Sequence, residues 1–83
     1  MIFTAEIKVM PLKELLDPQG KAISDGLKNL GLQNINDVRM GKHINLQIVA
    51  STKEEALALA EESAKKLLAN PVMEEYEIQI ITH

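Results

Sequence analysis

The residues able to make or break bonds are few and poorly placed for it. The histidines are His43 and His83, the serines are Ser24, Ser51 and Ser63, and cysteine is absent. Spacing puts each serine in a helix or at a helix cap, one histidine at a strand connection and the other at position 83. No Ser/His/Asp relay is set up by that pattern. Without thiols, disulfides, thiolate metal sites and cysteine nucleophiles are all excluded. Two histidines among scattered carboxylates carry no recognisable metal-ligand spacing. Glu74, Glu75 and Glu77 read as a solvated acidic stretch rather than an acid/base pair. Gly41-Lys42 matches a phosphate-binding loop only in part: Asn36 stands where the earlier glycine is needed, and no Ser or Thr follows the lysine. What remains is Arg39, Lys42 and His43, a small basic group containing the only arginine of the chain. A solvated turn and a surface for an anionic partner are both open to it.

The bulk properties agree with a protein that does no chemistry alone. The chain has 83 residues, 46% hydrophobic and 25% charged, which allows one compact domain over 1–83 and no second. Nine basic against 12 acidic groups give a net charge of −3, the wrong sign for a nucleic-acid binder. Phe3 and Tyr76 are the only aromatics, so base-stacking surfaces are missing. Charge enters by Glu6 and Lys8, too early for a secretory h-region, and the longest stretch free of charge runs only from His43 to Thr52. The expectation is a soluble cytoplasmic protein that engages neither membrane nor nucleic acid.

The elements follow from periodicity. Phe3, Ala5, Ile7 and Val9 alternate with Ile2, Thr4, Glu6, Lys8 and Met10 in a half-buried strand that Pro11 ends, and the leucines of 12–16 should cover a core edge. Asp17-Pro18-Gln19-Gly20 signals a helix start, with Asp17 as cap and Pro18 at the first helical position. Ile23, Leu27 and Leu30 recur at helical spacing until Gly31 ends the helix. Gly20 and Gly26 inside it each cost about 1 kcal/mol relative to alanine, which calls for close packing on the sheet or close approach by a partner. Val38 to Gly41 and His43 to Ala50 read as a hairpin. Thr52 and Glu55 have capping-box spacing, and the next helix carries a stripe of Leu57, Ala60, Ala64 and Leu67 until Asn70-Pro71 ends it. Tyr76, Ile78 and Ile80 mark a last strand.

This order is βαββαβ. Right-handed crossovers turn it into an α+β, ferredoxin-like plait, with a four-stranded antiparallel sheet in order 4-1-3-2 and both helices on one face. The uncovered face is mostly polar, but Ile2, Val49 and Ile81 should meet at one end of it. Such an apolar patch is a contact surface, and self-association through it or a neighbouring sheet edge is expected.

Four segments in order then resemble one small family across nearly the whole chain: Leu16-Asp17-Pro18-Gln19-Gly20-Lys21-Ala22, Leu30-Gly31, Asp37-Val38-Arg39-Met40-Gly41-Lys42, and Leu67-Leu68-Ala69-Asn70-Pro71-Val72 with the later Tyr76. The family is PurS, the small subunit of phosphoribosylformylglycinamidine synthase. The resemblance implies a non-catalytic component of a carbon–nitrogen ligase in purine biosynthesis, in which ATP, Mg and glutamine are used by the whole complex and no cofactor is held by this chain. A large synthase subunit would bind nucleotide, a glutaminase subunit would release ammonia, and this subunit would join them as a homodimer or tetramer. The absence of cysteine is consistent with that division, since this chain cannot be the cysteine-dependent glutaminase. Carried over by position, the family pattern selects Asp17, Pro18, Gln19, Gly20, Arg39, Lys42, Asn70 and Pro71 for partner contact. Cap, hairpin and helix exit are their purely structural alternatives.

Two competing readings are a free-standing dimeric regulatory module that binds a small molecule, and an RNA-binding domain of similar topology. The acidic balance and the lack of aromatics on the middle strands count against the second.

Overall fold

The computed structural model describes residues 1–82; the reading of His83 lies outside the described residues. Strand β1 (Ile2–Pro11) alternates as expected, with Phe3, Ala5, Ile7 and Val9 buried along one face. It is the central strand. β2 (Lys42–Val49) and β3 (Glu74–Thr82) flank it, both antiparallel, so that among the described residues the sheet has three strands in the order β2-β1-β3. Ile44, Leu46 and Ile48 of β2 and Tyr76, Ile78 and Ile80 of β3 join the same apolar face but stay only half-buried.

Helix α2 (Lys53–Ser63) covers β1 through Ala56 and Ala60, and Ala64 at its C-terminal end continues the row, all three fully buried. Alanine has no bulk beyond Cβ, so this stripe lets the helix backbone approach the branched side chains of β1 closely. The expected stripe of Leu57, Ala60, Ala64 and Leu67 is corrected here: Leu57 is 38% exposed and Leu67 85% exposed. Alanines four apart drift by about 40° per step on an ordinary helix. The wider π turn over Ala64–Leu68, closed by Ala69 N–H donating to the Ala64 carbonyl at 2.9 Å, offsets part of that drift. Leu68 and Ala69 consequently turn inward and Leu67 outward. At the helix start, Thr52 Oγ1 accepts from Glu55 N–H at 3.1 Å, while Glu55 answers one residue earlier than a standard box, accepting from Ser51 N–H.

Helix α1 (Pro18–Asn29) has the expected ends, with Asp17 as cap and Gly31 at φ +90° beyond the last turn. Its position is not the expected one. Only Gly20 and Ser24 are buried in it, and it is packed broadly against no other element. Both helices on one face is therefore corrected to α2 alone. A ten-residue strand of about 33 Å and a 12-residue helix of about 18 Å, placed end to end, match the 51 Å long axis. The radius of gyration is 16.3 Å, against about 12 Å for a compact chain of this length. Leu16, in the connector expected to cover a core edge, is 79% exposed.

The fourth strand is the other correction. Residues 38–41 form no strand, so the 4-1-3-2 order is reduced to three strands that keep the expected neighbours. Two physical reasons account for it. Lys42 already pairs with Val9, which leaves no residues for a hairpin turn at 41–43. The Met40 N–H is also committed to Asp17 at the start of α1, and the Arg39 side chain to Pro11 at the end of β1.

Candidate functional site

The distinctive residues gather where β1 ends, α1 begins and β2 is about to start. Asp17 is the hub. Its Oδ1 accepts from Gly20 N–H at 3.0 Å, capping α1, and its Oδ2 accepts from Met40 N–H at 2.9 Å. One carboxylate thus ties the helix start to the segment before β2. Arg39 adds a second tie by donating to the Pro11 carbonyl at the end of β1. Gly20 faces the Val38 carbonyl so closely that a Cβ there would lie 2.1 Å from the oxygen. Together these contacts form a latch that sets the direction in which α1 leaves the sheet.

The hydrogen bonds from Gly20 and, second, Met40 hold the Asp17 carboxyl below its ordinary value. Because its folded pKa is depressed, the latch is at full strength above the usual aspartate pKa of about 3.9 and weakens as pH falls below it. The protection of the Gly20 and Met40 amides, taken relative to their intrinsic exchange rate at each pH, should fall on acidification through that range. Asp17→Asn should exchange faster at neutral pH and lose most of the dependence; an unchanged profile would show that Asp17 is not the hub.

A second group lies beside the first. Asn70 Oδ1 accepts from Val72 N–H at 3.0 Å and from Met73 N–H at 3.3 Å, and Asn70 N–H donates to Glu74 Oε1 at 2.8 Å. Pro71 sits inside that turn, after the helix has ended at Leu68. Lys42 Nζ lies 3.9 Å from Glu74 Oε2, which links the start of β2 to the start of β3. Both groups are therefore at the end of the sheet where Pro11 pairs with Glu74 and Val9 with Lys42.

Arg39, Lys42 and His43 do not act as one cluster. Arg39 serves Pro11 and Lys42 serves Glu74, while His43 Nε2 lies 3.0 Å from Asn45 Oδ1 and 3.9 Å from Glu6 Oε2. The concavity of about 350 Å³ beside the latch mixes Lys13, Lys21, Lys28 and Arg39 with Asp17, Asp25 and Asp37. That balance of charge favours no anionic ligand over a cationic one. Among the described residues no group of three or more His, Asp or Glu could hold a metal ion.

Ile2 and Val49 pair directly at the opposite end of the sheet, and Ile81 stands opposite Thr4, the next residue of that face along β1. The register thus brings the three together. They are 50%, 78% and 37% exposed respectively.

The sequence reading missed the receiving half of the latch: the carbonyls of Pro11 and Val38 and the N–H of Met40. Backbone acceptors leave no mark in residue types. The one available signal was Gly20, whose lack of a side chain had to be matched by something close.

Fold and site define a class: a two-layer α+β protein whose distinctive residues bind backbone to backbone and hold one helix out from the body. The PurS family profile, described as phosphoribosylformylglycinamidine (FGAM) synthase, matches residues 4–82. The Mycobacterium leprae synthase subunit PurS is 45% identical over 74 residues, spanning 89% of this chain and 90% of that one. The PurS crystal structure from Methanocaldococcus jannaschii superposes with a TM-score of 0.87 at 34% identity, covering 98% of each chain. A chain of the PurLQS structure from Thermotoga maritima gives 0.89 at 32% identity, covering 98% of this chain and 99% of that one. The chain belongs to the PurS family, a subunit of FGAM synthase in purine biosynthesis.

Proposed function

We propose that this chain, as one PurS-like domain over 1–83, is the non-catalytic subunit that joins a large synthase subunit to a glutaminase subunit and supports ammonia transfer between them. The observation that carries this reading is the match over almost the full chain to a component of PurLQS. ATP, Mg and glutamine would be used by the larger subunits, in the cytoplasm. Among the described residues no helix is long and apolar enough to cross a membrane.

Self-association, as a dimer or tetramer, uses the patch of Ile2, Val49 and Ile81. Partner contact uses the end of the sheet where Asp17, Pro18, Gln19, Gly20, Arg39, Lys42, Asn70 and Pro71 lie. An excess of exposed surface supports association: the chain exposes 6050 Å², about 1,100 Å² above the norm for its mass. A standard interface covers about 800 Å² per partner.

Reconstitution tests the reading. Glutamine-dependent synthesis by the two larger subunits should require this chain, whereas ammonia-dependent synthesis should need it less; equal glutamine-dependent rates with and without it would end the proposal. Charge reversal refines the surface. Arg39→Glu would also loosen the latch, so Lys42→Glu is the cleaner variant: its long, half-exposed pair with Glu74, at 3.9 Å, is worth about 1 kcal/mol. Complex formation should weaken while the melting temperature barely moves, and a changed melting temperature with intact assembly would contradict it. Calorimetry with free amino acids separates the regulatory-module alternative, since a joining subunit should bind none.

A further inference from the structure

On the face of the sheet turned away from α2, the last residues of β1 lie in a trough of about 480 Å³, within the size range of small-molecule sites. Lys8 and Met10 form its floor, Gly41 and His43 stand on one side, and Glu75 and Glu77 on the other. The register fixes that arrangement. Lys8 pairs with His43 of β2 and with Glu77 of β3, while Met10 pairs with Glu75. Two strand spacings of about 4.8 Å set the side walls about 10 Å apart.

Charge is segregated across the trough. Lys8 and His43, with Lys42 on the rim, occupy the β1 and β2 side, and both carboxylates occupy β3. Opposite charges that face each other across a ladder ordinarily pair. Yet among the described residues Lys8, Glu75 and Glu77 enter no ion pair. Lys42 is held only by its long pair with Glu74, and His43 Nε2 is engaged by Asn45 and Glu6. The concavity beside the latch mixes its charges; this one sorts them. Its floor is shaped by a glycine. A Cβ on Gly41 would lie 2.2 Å from Met10 Sδ and 2.3 Å from the Val9 carbonyl oxygen, so only the missing side chain lets the thioether rest against residue 41.

We propose that this trough binds a phosphorylated polyol, a sugar phosphate or a nucleoside monophosphate, with the phosphate at Lys8 and Lys42 and the hydroxyls at Glu75 and Glu77. A phosphate monoester carries up to two charges and three terminal oxygens, enough to serve two ammonium groups at once. Carboxylates only accept hydrogen bonds, and a vicinal diol supplies donors to them. Between these ends the Met10 thioether offers a soft, polarisable surface to a sugar or a base. A simple anion would satisfy one side and be repelled by the other. The patch of Ile2, Val49 and Ile81 lies at the far end of the same face, so a contact through it leaves the trough open. The site is separate from the joining role, and its failure leaves that role untouched.

Amide NMR shifts of the isotope-labelled full chain provide the test, with ribose 5-phosphate and AMP as ligands and ribose, inorganic phosphate and glycylglycine as controls. Both ligands should give saturable shifts centred on Lys8, Gly41 and Glu77. Ribose alone should give none, and inorganic phosphate should bind about tenfold more weakly. Tighter binding of AMP would assign the site to nucleotides, and equal binding to the sugar phosphate that the two share. Lys8→Gln should weaken either ligand about tenfold, the worth of one charge-assisted hydrogen bond. Glu77→Gln separates the two ends of the trough. It should weaken ribose 5-phosphate about threefold by replacing a charged acceptor with a neutral one, yet tighten inorganic phosphate by removing a repulsion. Both side chains are exposed and outside any ion pair, so the melting temperature should be retained in either variant.

Three results overturn the site: shifts spread over the lysines at large, inorganic phosphate bound as tightly as the sugar phosphate, or glycylglycine bound better than either ligand. Tighter binding of ribose 5-phosphate by Glu77→Gln would place no hydroxyl at β3 and overturn it as well.

Discussion

Ile7→Ala should destabilise the fold by about 2–5 kcal/mol and lower the melting temperature by at least ~8 °C at fixed protein concentration. Ile7 is fully buried at the centre of β1, opposite Ile44 on one side and Ile78 on the other. Above it lie the alanines of α2, which have no side chain to move into the space left behind. The cavity would therefore persist, and the cost falls in the upper part of the range for such truncations. Leu67→Ala is the control, because Leu67 is 85% exposed and its loss should change stability by less than ~0.5 kcal/mol. Thermal unfolding of the two variants decides the matter. Equal losses would mean that the helix presents a different face to the sheet from the one described.

The second large effect is a matter of sign. Gly20→Ala adds a better helix former, and in an open position it would stabilise α1 by about 1 kcal/mol. Here the new methyl would stand 2.1 Å from the Val38 carbonyl oxygen and 2.8 Å from Asp17 Oδ2. The first of these is backbone, and moving it disturbs Arg39 and Met40, both parts of the latch. Overpacking of this kind costs about 1–3 kcal/mol, so the net change should be a destabilisation. Urea unfolding reads the sign directly. A stabilised Gly20→Ala would mean that the helix start and residue 38 are not in contact, and the latch would have to be abandoned.

Much of this was readable from local chemistry. Asp17, Pro18 and Gly31 set both ends of α1 through a cap, a fixed φ and a left-handed residue, all properties of single side chains. The alternation from Phe3 to Val9 identified the buried face of β1, and the same logic placed Ile2, Val49 and Ile81 at one end of the open face. Reading failed where two local signals competed for one backbone. Val38 to Gly41 has the composition of a strand, but its Met40 N–H is taken by Asp17 and the start of α1 at Gly20 lies against its Val38 carbonyl. It failed again at α2, where leucines drew the stripe away from Ala56 because size was read as burial.

Residue types and their order were enough for the α+β class, the ends of the helices, the inward face of β1, the absence of thiol chemistry and the PurS resemblance, since each depends on neighbours within a few positions or on side-chain inventory. The direction of α1, the number of strands, the tie of Asp17 to Met40 and that of Arg39 to Pro11 were settled only by folding. They depend on carbonyl and N–H groups that every residue carries alike, brought together from positions more than twenty apart, and no pattern of side chains encodes which of them will meet.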